Sequence, residues 1–306
     1  MDSVLEQGYP NLEYVVIDGG STDGSVGIIE ERAARLAHWV SEPDGGHAHA
    51  LNKGFSRTTG EIMGWLNADD VLHRGALRLL AQVFTELPAV EWLTGQASHL
   101  DDQGAVVEVR PPRAWSRMGF LSGDYRWIQQ ECTYWRRGLW ERAGGRLAEE
   151  YRLACDFELW VRFFRRAALQ STTGLIGGFR FHARQRTADQ MQAYEAEAGR
   201  IIGGELRELV EAGLPGAADA LWAAPPPLLE YDWRRRALRS AEALGPGASL
   251  RRGRLPAGLR VAFSRACLRE AGRSAADRDF KRAARLALRG SGALARSPRA
   301  LLRAFR

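Results

Sequence analysis

Short apolar runs alternate with amphipathic stretches at the beginning of the chain. Three runs are rich in β-branched or aromatic residues, which predicts buried strands, and they cover residues 13–18, 38–41 and 61–66. Between them, residues 26–36 and 47–57 have the periodicity of helices, and we expect Ile28 and Ile29 to face inward. Strands and helices that alternate at this spacing predict βαβ units, that is, a parallel sheet covered by helices.

The pattern is less regular later in the chain, although more elements are predicted. The clearest is a helix that begins at Asp156, because Phe157, Trp160 and Phe164 recur at i, i+3 and i+7. The other expected helices cover residues 75–87, 138–143 and 187–212, and the other expected strands cover residues 91–99, 105–109, 132–135 and 175–181.

Charge divides the chain into two parts. The 306 residues carry a formal net charge of +6, yet residues 230–306 contain 20 Lys+Arg against 6 Asp+Glu, a net charge of +14. The three prolines at 225–227 form the best linker candidate, close to the place where the charge changes sign. We therefore predict an α/β domain over residues 1–200 and a helical, Arg-rich region over residues 201–306.

Composition excludes several classes of protein. With 45% hydrophobic and 26% charged residues, the chain is neither mainly disordered nor collagen-like. It contains no apolar stretch approaching the ~20 residues of a membrane span, and its first residues do not resemble a signal peptide. Its three cysteines have neither disulfide-framework nor zinc-site spacing. We expect a cytoplasmic protein.

Two of the predicted strands end in turns that carry acidic residues. Ligands of open α/β sheets bind at the carboxyl ends of the strands, so residues 18–23 (DGGSTD) and 67–70 (NADD) are candidates. The first turn has small residues and, we expect, free backbone N–H groups that let a nucleotide approach. Asp18 is a candidate acceptor for hydrogen bonds from ribose or base. The alternative is a glycine-rich turn with capping side chains.

The adjacent carboxyl groups of Asp69 and Asp70 suggest a divalent cation. Mg²⁺ and Mn²⁺ bind through one or two carboxylates, with substrate phosphates completing the coordination. The alternative is a helix or turn cap at Asp70.

Three other side chains are candidates for different reasons. Asp156 stands at a helix N-terminus, where a carboxylate either caps the helix or acts as a general base. His182 follows a predicted strand and would contact a diphosphate, or have a structural role. His47 and His49 are two residues apart on a predicted helix and do not share a face, so we discount them as a metal-binding pair.

Several motifs, in their order, resemble family-two glycosyltransferases over residues 2–189. They are the opening residues 4–25, the EPDGG and ALNKG motifs at 42–54, LNADD at 66–70, QQE with YWRR at 129–137, DFELW at 156–160 and RFH at 180–182. The resemblance implies a GT-A-like, Rossmann-type, mainly parallel sheet with flanking helices. It also implies an inverting transfer from a nucleoside diphosphate sugar to a hydroxyl acceptor, on a glycan, a lipid-linked carrier or another molecule.

The same resemblance assigns roles to single residues. Asp69 and Asp70 would hold a divalent metal (Mg²⁺ or Mn²⁺), and Asp156 would be the catalytic base. The residues expected to bind the nucleotide-sugar are Asp18, Gly20, Ser21, Asp23, Asn52, Lys53, Asn67, Asp69 and His182. The signature Gln-x-x-Arg-Trp of processive synthases is missing, so we expect transfer of a single sugar, in cell-surface polysaccharide or glycoconjugate synthesis. The alternative is a non-catalytic or degenerate transferase that acts as a basic-tailed binding protein.

The two ends of the chain give further expectations. A stripe of arginines, Arg278, Arg282, Arg285 and Arg289, predicts either a helix on an anionic membrane surface, at the inner face of the plasma membrane, or a solvated helical face. The basic region lacks aromatic residues at stacking intervals, so we expect no specific nucleic-acid partner. At the other end, the family's first strand is missing, and we expect the natural protein to begin about twenty residues upstream.

Overall fold

Helices and strands alternate at the start of the chain, as the hydrophobic pattern predicts. The computed structural model describes residues 1–121, 128–182, 186–211, 225–232 and 234–238. Its first elements are α1 (Asp2–Leu5), β1 (Val15–Asp18), α2 (Ser25–Arg32), β2 (His38–Ser41), α3 (His47–Phe55) and β3 (Ile62–Met63). Strands β1 and β2 pair in parallel, which confirms the first predicted βαβ unit.

Most of the later strands belong to a second, larger sheet. They are β4 (Val71–Leu72), α4 (Ala76–Glu86), β5 (Trp92–Leu100), β6 (Val106–Val109), α5 (Arg117–Leu121), β7 (Thr133–Arg136), α6 (Arg137–Arg142), α7 (Cys155–Phe164), β8 (Gln170–Arg180), α8 (Arg186–Glu211), β9 (Tyr231–Asp232) and β10 (Ala237–Leu238). The large sheet has the order β3-β7-β5-β8-β4, and β6 pairs with β5 at the side.

The large sheet is mixed and not mainly parallel, which corrects that part of the expected fold. In the described residues, β5 and β8 pair in parallel, whereas β3–β7, β5–β7, β5–β6 and β4–β8 are antiparallel. The alternation of strands and helices predicts which segments are strands, but it does not determine which distant strand becomes the neighbour. Here β3 pairs with β7, a strand from much later in the chain.

Some local predictions also need correction. The third predicted strand, residues 61–66, is reduced to Ile62–Met63, and β4 was not predicted. In α2, Ile29 is buried, but 52% of Ile28 is exposed. Consecutive residues lie about 100° apart around a helix, so a narrow buried face accepts only one of them.

Tryptophan side chains hold α7 against the large sheet. Trp160 of α7 stacks on both Trp65 and Trp92, with ring centroids 6.0 and 5.7 Å apart. Trp135 meets Trp160 and Trp65 at steep angles. All these rings are buried, and so is Phe157, so the apolar side predicted for this helix is confirmed. Aromatic pairs of this kind contribute about 0.5–1.5 kcal/mol each beyond the area they bury.

The described residues divide into two compact units. One contains residues 1–115, 128–198, 225–232 and 234–238, and the other contains residues 116–121 and 199–211. In the second unit, Arg117 and Glu205 form a buried ion pair. The domain boundary at residue 200 stays a prediction, because most of the basic region, including its arginine stripe, lies outside the described residues. None of the described helices combines the length and the apolar character needed to cross a membrane.

We predict that Gly177→Ala destabilises the fold. A Cβ atom at this position of β8 would clash with the backbone oxygen of Glu131, a contact that backbone movement alone can relieve. We expect the free energy of unfolding in urea to fall by about 1–3 kcal/mol. Gly199→Ala, in a helix and with open space around its Cβ position, is the control and should leave stability unchanged or higher. Equal stabilities for the two variants would contradict this packing argument.

Candidate active site

The turn after β1 is organised around the carboxyl group of Asp18. This group accepts hydrogen bonds from the backbone N–H groups of Gly20 (3.0 Å) and Ser21 (2.8 Å) and from the hydroxyls of Ser21 and Ser41. Burial raises the pKa of Asp18, but the hydrogen bonds from both serines outweigh it and lower the pKa to about 2. The expectation of free N–H groups in this turn is therefore wrong for Gly20 and Ser21, because both donate to Asp18.

Two neighbouring turns meet at the carboxyl end of the β1–β2 pair. Gly20 has a φ of +85°, which favours glycine. A Cβ atom at Gly19 would lie 2.8 Å from a carboxyl oxygen of Asp44, which follows β2, so a larger residue at this position would require the Asp44 side chain to move. Asp23 accepts hydrogen bonds from the backbone and hydroxyl of Ser25, chiefly the hydroxyl, and these lower its pKa.

The adjacent residues Asp69 and Asp70 have very different surroundings. The Asp69 side chain is 41% exposed, and its carboxyl group lies 2.9 Å from Nε2 of His182. Asp70 is buried, with one oxygen accepting from the backbone N–H of Arg180 (3.1 Å) and the other from the side-chain amide of Asn67 (3.3 Å). Burial, and next the charge of Asp69, raise the pKa of Asp70 to about 7, although the Arg180 N–H opposes the shift.

These contacts differ between the two predicted metal ligands, Asp69 and Asp70, and so do the roles they support. Both Asp70 oxygens have protein donors as partners, so this residue supports the turn, whereas Asp69 and His182 form an accessible pair of an oxygen and a nitrogen donor. The described residues contain no cluster of three or more His, Cys, Asp or Glu side chains that could hold a metal ion. A hard cation held at Asp69 would have to take most of its ligands from a bound phosphate and from water.

Two residues predicted to bind the nucleotide-sugar have other partners. Asn52 accepts from the backbone N–H of Leu147 (2.8 Å) and donates to the Leu147 carbonyl (3.0 Å) and to Glu149. Lys53 forms an ion pair with Glu42. Asn52 therefore holds the loop before α7. These contacts do not support a role for Asn52 in binding the nucleotide-sugar.

Asp156, the predicted base, is the second residue of α7. It remains partly accessible to solvent, yet protein surrounds its carboxyl group and burial raises its pKa to about 6. One carboxyl oxygen accepts from the backbone N–H of Phe157 (2.7 Å), and the first turn of α7 shows no side-chain cap from the preceding Ala154. A half-buried carboxyl group with this pKa suits proton transfer near neutral pH.

Sequence reasoning missed two residues that lie next to the candidate site. His47, discounted as a metal ligand, has Nε2 3.1 Å from Oδ1 of Asn67 and Nδ1 3.8 Å from Sγ of Cys155. It thus connects the acid-bearing turn to the start of α7. Glu197 of α8 accepts hydrogen bonds from the loop before α7. Neither residue stands in a motif, and only tertiary contacts reveal them.

Glu131, in the QQE motif, is another buried carboxyl group in this part of the structure. It lies in a short 3₁₀ helix, Gln130–Cys132, just before β7. Burial raises its pKa, and the charges of Asp70 and Asp156 raise it further. Acidic groups from three distant segments therefore influence one another here.

Comparisons with known proteins agree with these observations. The model of the family "Glycosyl transferase family 2" matches residues 1–134. An uncharacterized glycosyltransferase of Rickettsia prowazekii is 25% identical over 203 residues, which cover 64% of each chain. The O-antigen biosynthesis protein RfbC of Myxococcus xanthus is 29% identical over 190 residues, covering 61% of this chain and 14% of that protein. The chain thus spans less than two thirds of the length of these relatives.

A solved structure with a similar fold is that of S. aureus TarS, residues 1–349, in complex with UDP-GlcNAc. Its TM-score is 0.57 at 15% sequence identity, and the match covers 94% of this chain and 85% of that one. At this identity the likeness concerns the fold, and it confirms the expected GT-A-like α/β architecture.

We predict that Asp18→Asn destabilises the protein in a pH-dependent way. The folded-state pKa of about 2 is below the ordinary value of 3.8, so the ionised carboxyl stabilises the fold above pH 4, and this contribution is lost as the pH falls towards 2. In urea unfolding at a series of pH values, the variant should be less stable than the wild type at neutral pH. The difference should shrink below pH 4. Asp102→Asn, at an exposed position, is the control, and a pH-independent difference for Asp18→Asn would contradict the argument.

Proposed function

We propose that the chain transfers one sugar from a nucleoside diphosphate sugar to a hydroxyl group, with inversion at the anomeric carbon, because its residues 1–134 match the model of glycosyl transferase family 2. The observation that carries the proposal is the presence of two carboxyl groups with different surroundings. An exposed one, Asp69, lies beside His182, and a half-buried one, Asp156, has its pKa raised to about 6.

The donor side would use the turns at the carboxyl ends of β1, β2 and the segment before β4. The turn built around Asp18 offers a rigid, low-bulk surface for the nucleoside, with Gly20, Ser21 and Asp23 as its accessible members. Rigidity is favourable because a preformed site loses little conformational entropy on binding. TarS was solved with UDP-GlcNAc, and we propose the same chemical class of donor here.

A divalent cation, Mg²⁺ or Mn²⁺, would be held by Asp69 with His182 beside it, and by the diphosphate itself. When bound, such a cation supplies charge neutralisation at the departing diphosphate. Asp70 and Asn67 hold the turn that presents Asp69.

Asp156 would act as the general base. Its carboxylate takes the proton of the acceptor hydroxyl while the hydroxyl oxygen forms the new bond to the anomeric carbon. The bond from that carbon to the diphosphate oxygen breaks on the opposite side, and the nucleoside diphosphate leaves with the bonding electrons. Attack from the opposite side inverts the configuration. Orientation of the two substrates supplies much of the rate enhancement.

The proposed reaction also suggests a biological setting. RfbC is named as an O-antigen biosynthesis protein, which supports a role in cell-surface polysaccharide or glycoconjugate synthesis. We propose a cytoplasmic location, with the basic region as the candidate contact with an anionic membrane.

A donor screen tests the function directly. Thermal-shift measurements with nucleoside diphosphates and their sugars, each with Mn²⁺, should identify a stabilising donor, and hydrolysis or transfer of that donor should follow. Absence of any stabilising nucleotide and of any turnover would favour the alternative of a non-catalytic binding protein.

We predict that Asp156→Asn abolishes most of the transfer activity. An amide cannot take the proton, and general-base catalysis contributes about 10²–10⁴-fold to rates, so we expect kcat to fall on that scale without a change in donor affinity. In the wild type, the base must be ionised, so kcat/KM should rise with pH through an apparent pKa of about 6. Glu150→Gln, at an exposed position before α7, is the matched control. Unchanged turnover in Asp156→Asn would remove this residue from the mechanism.

We predict that Asp69→Asn weakens the binding of Mn²⁺ in the presence of a nucleoside diphosphate. Removal of the accessible carboxylate should lower the affinity measured by calorimetry by about tenfold or more, the scale on which metal sites lose affinity when a supporting group is removed. Asp102→Asn serves as the control for the loss of one negative charge on the surface. Equal Mn²⁺ affinities in the Asp69 variant and the wild type would rule out the proposed ligand.

A further inference from the structure

The carboxyl group of Glu197 accepts hydrogen bonds from three consecutive backbone N–H groups. One oxygen accepts from Arg152 (3.2 Å), and the other accepts from Leu153 (3.0 Å) and Ala154 (2.9 Å). These three residues come directly before α7, whose second residue is Asp156. A buried side chain of α8 therefore determines how the chain enters the helix that carries the base.

Packing on both sides holds Glu197 in place. Tyr194, one turn earlier in α8, is buried and meets the ring of Phe157 edge-on, with centroids 6.4 Å apart. Ala198, the next residue, is fully buried, and Glu197 itself is only 9% exposed. The carboxyl group therefore cannot leave the loop unless α8 separates from α7.

The three N–H groups need an acceptor that their own segment does not provide. A buried N–H group without a partner costs about 1–3 kcal/mol, and no side chain caps α7 from Ala154. Glu197 thus satisfies the N–H groups that precede α7, whereas Asp156 accepts from the N–H of Phe157 inside the first turn of the helix.

We propose that Glu197 is a positioning residue, which acts through the backbone of residues 152–154 to set the place where the Asp156 carboxyl group meets the acceptor hydroxyl. The inference rests on the proposed function, because it assigns a role relative to that base. Misplacement of a reacting group by about 1 Å costs on the order of 10²-fold in rate.

The first test is Glu197→Gln, which keeps the size of the side chain but turns one of its acceptor oxygens into a donor. We expect kcat to fall by about 10²-fold with the donor KM unchanged, because the donor turns lie on other segments. Glu197→Asp keeps both acceptor oxygens, so its kcat should lie between that of Glu197→Gln and that of the wild type. Glu195→Gln, an exposed carboxyl-to-amide change on the same helix, should match the wild type. A loss of donor affinity that parallels the loss of kcat would overturn the proposal in favour of general destabilisation.

A double variant then separates positioning from other effects. If Glu197 acts through Asp156, Glu197→Gln should cause no further loss in an Asp156→Asn background, because the base it positions is already absent. If Glu197→Gln lowered kcat by the same factor in the wild-type and in the Asp156→Asn background, the proposal would be overturned.

Amide hydrogen exchange tests the structural step without any assay of transfer. A peptide covering residues 152–157 should exchange faster in Glu197→Gln than in the wild type or in Glu195→Gln. Unchanged protection would overturn the inference even if transfer is observed. Faster exchange in a protein that transfers no sugar would instead locate the failure in the proposed function.

Discussion

The stacking of Trp160 on Trp65 and Trp92 is the interaction on which the candidate site depends. Trp65 stands just before the NADD turn, and Trp160 stands one turn after Asp156 in α7. One stack of buried rings therefore relates the turn that presents Asp69 to the helix that presents the base. Buried, close-packed rings have few alternative arrangements, so this contact makes the distance between two functional groups a property of the core.

Environment, more than residue type, gives the carboxyl groups their different properties. Asp18 is surrounded by N–H and hydroxyl donors, which keep its pKa near 2. Asp156 is enclosed by protein with fewer such donors, and its pKa rises to about 6. Asp69 and Asp70 are neighbours in the chain, yet one is accessible beside His182 and the other is buried below the Arg180 backbone. Such divergence of similar groups is typical of sites that need both fixed charge and proton transfer.

The C-terminal end of β8 connects these parts. The backbone N–H of Arg180 donates a hydrogen bond to the Asp70 carboxyl group, and its side chain donates one to the backbone carbonyl of Asp69. His182 lies two residues further along the chain. A strand from late in the chain thus supports a turn from early in it. In the RFH motif, His182 is the predicted ligand-binding residue. Arg180 is equally important in the structure, because it holds the turn whose Asp69 side chain contacts His182.

From the sequence alone one can predict the α/β class, most elements, the apolar side of α7 and the candidate acids, because these follow from periodicity, turn chemistry and short motifs. The remaining features follow from packing: β3 pairs with β7, Asp70 is buried while Asp69 is accessible, Asn52 binds Leu147, and Glu197 supports the loop before Asp156. Local pattern sets which residues prefer the interior and which conformation a segment prefers. The partner of a buried polar group depends on which distant segment packs against it, and that is decided by the packing of the whole core.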